Sequence, residues 1–408
     1  MIAEKEELFS HDIWIWSARN MGPIAARMIV NNGGIVKGFI DNDKKIQNSQ
    51  VFNRPVYNPD VFYDLMSLND IVLVCCTKEN NKNIIQQLNE HGVKNIRELD
   101  LKMFDSVQKK FGEFIEDGYE SRSISKICCQ EDFKKDFFIK IQNELGWNNH
   151  SRYHRKIWEF VYIVKILKDH NMLKEGKRGL GFAVGEEPLA SYFASKKVSV
   201  LASDLGIENE TAEIWKESRQ NASGDINKIW KENIISRNQF DKYVKYMDLD
   251  MNHIPDDIGE YDFCWSSCAI EHVGGLDLSK QFLKNMIKVL KPGGVAVHTT
   301  EFNLWSNDDT EKNGYSVIYR KKDLEEIAEW LKTQGCKMEL SFKREPSNVN
   351  MFLPMPPYES DDMRDHLNLM VGGFASTSYG IVIIKEKSLS GTDNFSEERD
   401  VLSGKRKT

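Results

Sequence analysis

Three glycines and one aspartate lie at the ends of two strands near the middle of the chain. A short apolar strand runs into Gly179, Gly181 and Gly185, a helix follows, and the second strand ends at Asp204. Glycines let backbone N–H groups approach a ligand because no Cβ is in the way, and a carboxylate at that strand end suits a ribose diol. This order of elements predicts one nucleotide-binding half of a Rossmann-like sheet.

Four residues able to carry acid–base chemistry belong to two later strands. Glu271 and His272 follow the first of these strands, His298 lies within the next one, and Glu301 comes directly after it. The imidazole of His272 suits a general base near neutral pH, and Glu301 is placed to meet a substrate. The alternative is that Glu271 or His272 only caps a helix or packs beneath a ligand. For His298, whose position is inside a strand, a buried core histidine is the favoured interpretation. We predict no metal site; a divalent cation between Glu271 and Glu301 is the alternative.

Composition and charge limit the class of protein. The chain has 408 residues, of which 40% are apolar and 29% charged, as expected for a globular protein of two or three domains. Its net charge of −7 argues against a general nucleic-acid or membrane-surface protein, which usually presents a basic face. Because no apolar run reaches about 18 residues, no membrane span is predicted.

The seven cysteines bear on the cellular compartment of the protein and do not indicate a metal site. None forms a C-x-x-C pair, so the sequence carries no zinc signature of that kind. An odd count with two adjacent pairs does not fit a disulfide framework. We therefore predict reduced thiols and a cytoplasmic protein.

Periodicity and turn signals divide the chain into four segments. Residues 1–102 alternate strands and helices and predict a small Rossmann-like domain, and residues 103–176 predict a helical linker or lid. Residues 177–387 predict the main α/β domain, and the polar residues 388–408 predict a disordered tail.

The first turn of the N-terminal domain has a damaged glycine fingerprint. At the spacing of G-x-G-x-x-G the chain reads Ser17 to Gly22, and Arg19 replaces the middle glycine. A structural domain that binds no dinucleotide is the favoured interpretation. The alternative is that Arg19 and the next helix N-terminus hold another anion, such as a nucleotide or sugar phosphate.

Two further segments bear on the substrate. The basic residues 152–156 open an amphipathic helix, and a solvated helix start is favoured over a surface for an acidic substrate. Residues 345–378 form a long segment that is too apolar for disorder, so we predict that they wall the substrate site. His366 in this segment is a reserve candidate for the base.

Residues 150–387 resemble the class I S-adenosylmethionine-dependent methyltransferases. The resemblance lies in five sets of residues in the order of that family: Gly179 to Gly185, Asp204, Met247 with Asp248, Ser266 to His272, and Lys291 to Gly294. It implies an α/β fold of two Rossmann-like domains, the second a seven-stranded sheet with an antiparallel last strand.

The resemblance also implies a role for each matched residue. The cofactor would be S-adenosylmethionine, and the catalytic candidates are His272, Glu271 and Glu301. The implied cofactor-binding residues are Gly179, Gly181, Ala183 and Gly185 at the methionine end, Asp204 at the ribose, Met247 and Asp248 at the adenine, and Ser266 and Ser267 near the sulfonium.

Two positions depart from the family pattern. The family often has an acidic residue two positions before the first glycine, where this chain has Lys177, and Ala183 replaces the last glycine of the tight turn. Glu186 or Glu187 is the candidate to compensate.

The acceptor is inferred from looser similarities. Residues 37–43 with 54–57 resemble small N-terminal domains of enzymes that modify bacterial surface sugars. The run from Tyr153 to Asn303 is similar to methyltransferases found with glycan and capsule biosynthesis enzymes. These similarities imply O-methylation of a sugar, nucleotide sugar or surface-glycan precursor. The alternatives are N- or C-methylation of another small metabolite, or a non-catalytic nucleotide- or S-adenosylmethionine-binding regulator.

Overall fold

The computed structural model describes most of the chain. The described residues are 2–19, 21–76, 78–107, 111–148, 152–206, 222, 224–313, 316–358 and 363–387. The predicted disordered tail, 388–408, lies outside the described residues.

The strands fall into two large, mostly parallel sheets and one small one, so the fold is mixed α/β. In chain order the strands are β1 (Asp12–Trp16), β2 (Ile35–Ile40), β3 (Gln50–Val51), β4 (Arg54–Tyr57), β5 (Ile71–Val74), β6 (Ile96–Glu98), β7 (Ser106–Val107), β8 (Lys126–Ile127), β9 (Arg178–Gly181), β10 (Ser199–Asp204), β11 (Val244–Asp248), β12 (Tyr261–Ser267), β13 (Leu290–Asn303), β14 (Cys336–Lys337), β15 (Phe352–Leu353), β16 (Asn368–Val371) and β17 (Phe374–Lys385).

The helices lie mainly between the strands. In the described residues they are α1 (Lys5–Ser10), α2 (Met21–Asn31), α3 (Pro59–Leu65), α4 (Lys78–Glu90), α5 (Gln130–Phe133), α6 (Asp136–Glu144), α7 (Arg155–Asp169), α8 (Leu189–Ser195), α9 (Ile226–Ile229), α10 (Arg237–Tyr243), α11 (Leu276–Met286), α12 (Lys321–Thr333) and α13 (Asn348–Met351). No helix in the described part of the chain is long and apolar enough to cross a membrane.

The first sheet has the order β3-β4-β2-β1-β5-β6. Its strands β4, β2, β1, β5 and β6 are parallel, and β3 is antiparallel to β4. All four residues of β5 are buried, as expected for a strand covered by helices on both faces. The apolar runs predict β1, β2 and β5 near their observed positions, whereas β3, β4 and α3 escape prediction.

The second sheet has nine strands among the described residues, so the predicted number of seven is too low. Its main path is β11-β10-β9-β12-β13-β17-β14, with β16 and β8 also paired to β17. Along this path β11, β10, β9, β12 and β13 are parallel to one another, and β17 runs antiparallel to β13. The two extra strands are too short to give a periodic pattern, and only tertiary pairing defines them.

The segment 103–176 is not purely helical as predicted, because β7 and β8 lie within it. Strand β8 pairs with β17 at Tyr379 and Gly380, and β7 pairs with β15. Helix α7 packs closely over β17 because Gly380 leaves room for Tyr162, whose ring would lie 2.1 Å from a Cβ at that position. This packing places the start of α7 at the edge of the sheet where the parallel strands end.

Candidate active site

A cavity of about 560 Å³ lies at the carboxyl ends of β9, β10, β11 and β12. Ligands of open α/β sheets bind at this edge, and the volume is within the range of small-molecule sites. Five of the residues predicted for the site line the cavity: Ala183, Gly185, Asp204, Ser267 and His272.

The tight turn begins at Gly181, two residues later than predicted. Ala183 and Gly185 have positive φ values of 48° and 50°, and both line the cavity. Gly179 and Gly181 instead belong to β9 and are not in the cavity lining.

Gly179 and Gly181 are needed for packing. A Cβ at Gly179 would lie 2.4 Å from the Phe263 ring, and one at Gly181 would lie 2.3 Å from the Trp265 ring. Gly179 and Gly181 therefore pack against aromatic rings of β12, and their contact with the methionine end of the cofactor stays a prediction.

Asp204 ties the turn to the end of β10. Its Oδ2 accepts hydrogen bonds from Gly185 N at 3.1 Å and Ala222 N at 3.0 Å, and its Oδ1 accepts one from Leu205 N at 2.9 Å. Burial raises the pKa of Asp204 to about 6, although the backbone N–H donors oppose that rise. The carboxylate lines the cavity where the sequence predicts a ribose contact.

The predicted adenine contacts lie outside the cavity lining. Strand β11 ends with Met247 half-buried and Asp248 exposed, and residues 249–252 line the cavity instead. Among them, Asp250 accepts a hydrogen bond from Asn252 N at 2.8 Å, and Asp250 Oδ2 lies 2.9 Å from the ring of His253. The acidic residue of this region that lines the cavity is therefore Asp250, two positions after the predicted Asp248.

Ser266 and Ser267 point to opposite faces of the sheet, because successive residues of a strand alternate. Ser267 lines the cavity, whereas the Ser266 hydroxyl lies 2.7 Å from Nδ1 of His298. His298 is fully buried, and this burial lowers its pKa to about 3. Ser266 is thus excluded from the cavity, and His298 is a core residue, as the sequence favours.

A cluster of buried charges lies behind the cavity. Arg155 at the start of α7 is only 8% exposed. Its Nη2 lies 2.5 Å from Glu301 Oε1, and its Nη1 lies 3.3 Å from Glu159 Oε1 and 3.0 Å from Ser378 Oγ. The favoured interpretation of a solvated helix start is therefore wrong for Arg155. The apolar stripe of α7 draws its first turn against the sheet, where acidic partners meet the guanidinium.

Glu159 is the buried carboxylate that pairs with both Arg155 and Lys156. Burial by itself raises its pKa, but Lys156 and Arg155 more than compensate and lower that pKa to about 2. Glu159 Oε2 accepts hydrogen bonds from Lys156 Nζ at 3.1 Å and Ser267 Oγ at 2.9 Å. Because Lys156 and Ser267 line the cavity, Glu159 connects the cavity wall to the buried charges.

Two of the predicted catalytic residues, Glu271 and Glu301, are not in the cavity lining. Glu271 is fully buried, and neither carboxylate oxygen has a hydrogen-bond partner in the described structure. Burial and the nearby Glu301 raise the pKa of Glu271. Ligand atoms of Cys268, Glu271 and Glu301 lie within 4.8 Å of one another, but the Arg155 guanidinium already contacts two of these side chains.

Three cavity residues come from the segment before β9, and of these only Lys156 belongs to a stretch, 152–156, for which the sequence offers a substrate surface as an alternative. Trp147 and Phe160 stack with ring centroids 5.6 Å apart, and Lys156 lies beside them. The helical spacing of α7 predicts the helix, but it does not show which side chains reach the cavity. Cys268, with a positive φ of 47°, is a further lining residue that the sequence analysis missed.

The segment 345–378, the predicted wall of the substrate site, includes residues 359–362, which lie outside the described residues. None of its described residues lines the cavity, because much of the segment is taken into β15, β16 and β17. The ring of His366 lies near those of His154 and Tyr358, with centroids 5.1 Å and 4.6 Å away. His366 is thus not in the cavity lining.

Residues 204–298 match a family model described as a methyltransferase domain. The matched region starts at Asp204 and includes Ser267 and His272, so it contains much of the cavity wall. No curated protein matches the chain in sequence.

Three solved structures are similar to parts of the chain. YjhP from E. coli is 14% identical, with 41% of this chain and 56% of that chain covered and a TM-score of 0.26. A SAM-dependent methyltransferase from Aquifex aeolicus is 17% identical, with 54% and 88% covered and a TM-score of 0.29. Magnesium protoporphyrin IX methyltransferase (ChlM) from Synechocystis PCC 6803, solved with bound SAH, is 8% identical, with 63% and 92% covered and a TM-score of 0.35.

These similarities are too low to carry a conclusion, and the chain spans only about half of YjhP, with 56% covered. The matched family model carries the conclusion instead. It shows that this chain carries a methyltransferase domain, the class of enzyme for which the sequence predicts S-adenosylmethionine as cofactor.

Proposed function

We propose that the protein transfers a methyl group from S-adenosylmethionine to an oxygen of a sugar, nucleotide sugar or surface-glycan precursor. The observation that supports S-adenosylmethionine as the methyl donor is the cavity beside Asp204, within the region that matches a methyltransferase domain. When bound, S-adenosylmethionine supplies an activated methyl group on a cationic sulfur.

The charge of the cavity suits this donor. Four acidic residues and one lysine are among its described lining residues: Glu186, Glu187, Asp204, Asp250 and Lys156. A sulfonium and an ammonium group are attracted to such a wall, most strongly where the site is shielded from water. We propose that Asp204 binds the ribose hydroxyls and that the turn at Ala183 and Gly185 holds the methionine end.

For the adenine end, the structure favours Asp250 over the predicted Asp248. Asp250 lines the cavity together with the apolar side chains of Leu249 and Met251, which can cover the faces of a base. Asp248 is exposed at the end of β11. We therefore propose Asp250 as the acceptor for the exocyclic amino group.

We propose His272 as the general base. It lines the cavity near Ser267 and Cys268, so it is placed to take the proton from an acceptor hydroxyl as the methyl group moves to that oxygen. Much of the rate would come from holding the two reactants in line. Glu271 and Glu301 are behind the wall, and we propose that they position His272 and Arg155 rather than touch the acceptor.

The choice of a sugar acceptor rests on the sequence similarities and on the aromatic wall. Trp147 and Phe160 line the cavity as a stacked pair, and aromatic side chains can pack against the apolar side of a sugar ring. N- or C-methylation of another small metabolite is the second candidate, since the residues described specify the donor more closely than the acceptor.

Two proposals concern the rest of the protein. All seven cysteines are free thiols, which supports a cytoplasmic setting. A nucleotide or sugar phosphate at the N-terminal turn would have to compete with Asp43, which lies 2.8 Å from Arg19.

The test is methyl transfer from labelled S-adenosylmethionine into a panel of sugars, nucleotide sugars and glycan extracts. We expect label in an alkali-stable ether of one sugar class. Label only in amines or carbon-methylated products would support the second candidate, and binding of the donor without any transfer would favour a regulator.

A further inference from the structure

We propose that Glu187 binds the α-ammonium group of S-adenosylmethionine, in place of an acidic residue that β9 cannot hold. The proposal rests on the proposed function and names one residue of its cofactor site. The packing of β9 against β12 and the position of Glu187 in the cavity lead to it.

Strand β9 has no room for an acidic side chain before the turn. The turn begins at Gly181, so the residue two positions earlier is Gly179, where the Phe263 ring fills the space of any side chain. Lys177 lies at the opposite edge of the sheet, and its Nζ is 2.8 Å from Asp262 Oδ1. Neither position can supply a carboxylate to the cavity.

Glu187 lies just after the turn and lines the cavity. It is only 9% exposed, and its Oε1 accepts a hydrogen bond from Nε1 of Trp265 at 2.6 Å. The Trp265 ring occupies the space beside Gly181, so the residue that requires a glycine in β9 also orients the replacement carboxylate. One carboxylate oxygen is thus fixed by the indole, and the other is available to a ligand.

Burial and the neighbouring groups together set the protonation of Glu187. Burial raises its pKa to about 8; the hydrogen bond from Trp265 and the charge of Lys156 oppose the rise, and Asp204 and Glu159 add to it. Lys231, whose pKa is lowered by burial, is the other cation that acts on this carboxyl. At pH 7 the free protein therefore holds a proton on Glu187.

Binding of an ammonium group should release this proton. A nearby cation favours the carboxylate and lowers its pKa, so the bound state holds one proton fewer than the free state below pH ~8. Affinity for the cofactor should then rise as the pH increases from 6 towards 8. The α-amino group of the ligand itself titrates at about 7.7–8.0, which is common to all variants and cancels in their comparison.

Glu186 provides a matched control. It lies next to Glu187 in sequence and also lines the cavity, but it is more exposed and lies 3.5 Å from Lys228 Nζ. A Glu186→Gln change removes the same charge from the same wall without touching the carboxyl held by Trp265.

The experiment is calorimetric titration at pH 7 in buffers of different ionisation enthalpy, with the wild type, Glu187→Gln and Glu186→Gln. The probes are S-adenosylmethionine and methylthioadenosine, which lacks the aminoacyl group. We expect release of close to one proton from the wild type and Glu186→Gln, and almost none from Glu187→Gln. We also expect Glu187→Gln to lose roughly 10- to 100-fold in affinity for S-adenosylmethionine, as for one charge-assisted hydrogen bond, and to keep its affinity for methylthioadenosine.

The outcomes separate this inference from the proposed function. Unchanged affinity and unchanged proton release in Glu187→Gln would overturn the role of Glu187 while leaving the cofactor site intact. An equal loss for both probes would show a structural role and would also overturn it. If the wild type binds neither probe, both this inference and the proposed function fail.

Discussion

In both large sheets, an aspartate at the end of the second parallel strand accepts a hydrogen bond from the turn that follows the first strand. Asp41 Oδ2 lies 3.0 Å from Ala18 N, and Asp204 Oδ2 lies 3.1 Å from Gly185 N. The bond between aspartate and turn is therefore a property of this arrangement of strands. By itself it does not indicate a ligand site.

The two turns differ in what covers them. Beside the N-terminal turn, Arg19 and Asp43 form an exposed ion pair. Beside the second turn, side chains from α7 and from the end of β11 enclose the cavity around Asp204. A ligand site thus depends on elements far away in the sequence, which explains why a glycine pattern alone is weak evidence.

Substitutions at Arg155 and Arg19 compare a buried ion pair with an exposed one. Arg155→Met leaves Glu301 buried without its cation, so we expect the free energy of unfolding to fall by about 3–5 kcal/mol. Denaturant unfolding measures the change. Arg19→Met breaks the exposed pair with Asp43 and should cost at most about 1 kcal/mol. Equal effects of the two substitutions would contradict the structural difference described here.

The next prediction concerns the proposed base. His272→Ala should lower kcat by roughly 100-fold or more, because proton removal from the acceptor loses its base. The Kd for S-adenosylmethionine should stay within about threefold, since a catalytic hydrogen bond to the acceptor does not hold the donor. His366→Ala is the control, because His366 is not in the cavity lining. Parallel losses of kcat and donor binding in His272→Ala would mean that His272 is structural.

A substitution at Ala183 tests the backbone of the turn itself. Ala183 has a φ of 48°, a conformation that strains an L-residue and suits glycine. Ala183→Gly should therefore stabilise the fold by about 0.5–1 kcal/mol in thermal unfolding, despite the greater entropy of glycine in the unfolded chain. Ala190→Gly within α8 should destabilise by about 1 kcal/mol. A loss of stability in Ala183→Gly would show that the Ala183 methyl group packs usefully.

Local patterns predict much of the framework and less of the site. The apolar runs of β2 and β12 and the amphipathic spacing of α7 give these elements within about two residues of the observed ends. The first half of β17 escapes prediction because its serines and threonines are typical of a loop, although they pair with β13. In the site, the predicted turn begins two residues before the observed one, whereas β11 ends at Asp248 as predicted.

These errors have one physical cause, which is that sequence spacing does not reveal neighbours across a sheet. Gly179 and Gly181 resemble ligand-binding glycines until Phe263 and Trp265 are seen to fill the space beside them. Arg155 likewise resembles a solvated residue until Glu301 of β13 is seen to pair with its guanidinium.

Calorimetry on two matched variants tests whether the cavity beside Asp204 binds S-adenosylmethionine while the N-terminal turn at Ala18 does not. Asp204→Asn and Asp41→Asn make the same change in the two turns and keep the shape of the side chain. We expect Asp204→Asn to weaken binding of S-adenosylmethionine by roughly 100-fold, since two charge-assisted hydrogen bonds to the ribose are impaired, and Asp41→Asn to leave the Kd within twofold. Equal affinities of the wild type and Asp204→Asn, or a loss of binding in Asp41→Asn alone, would contradict the claim.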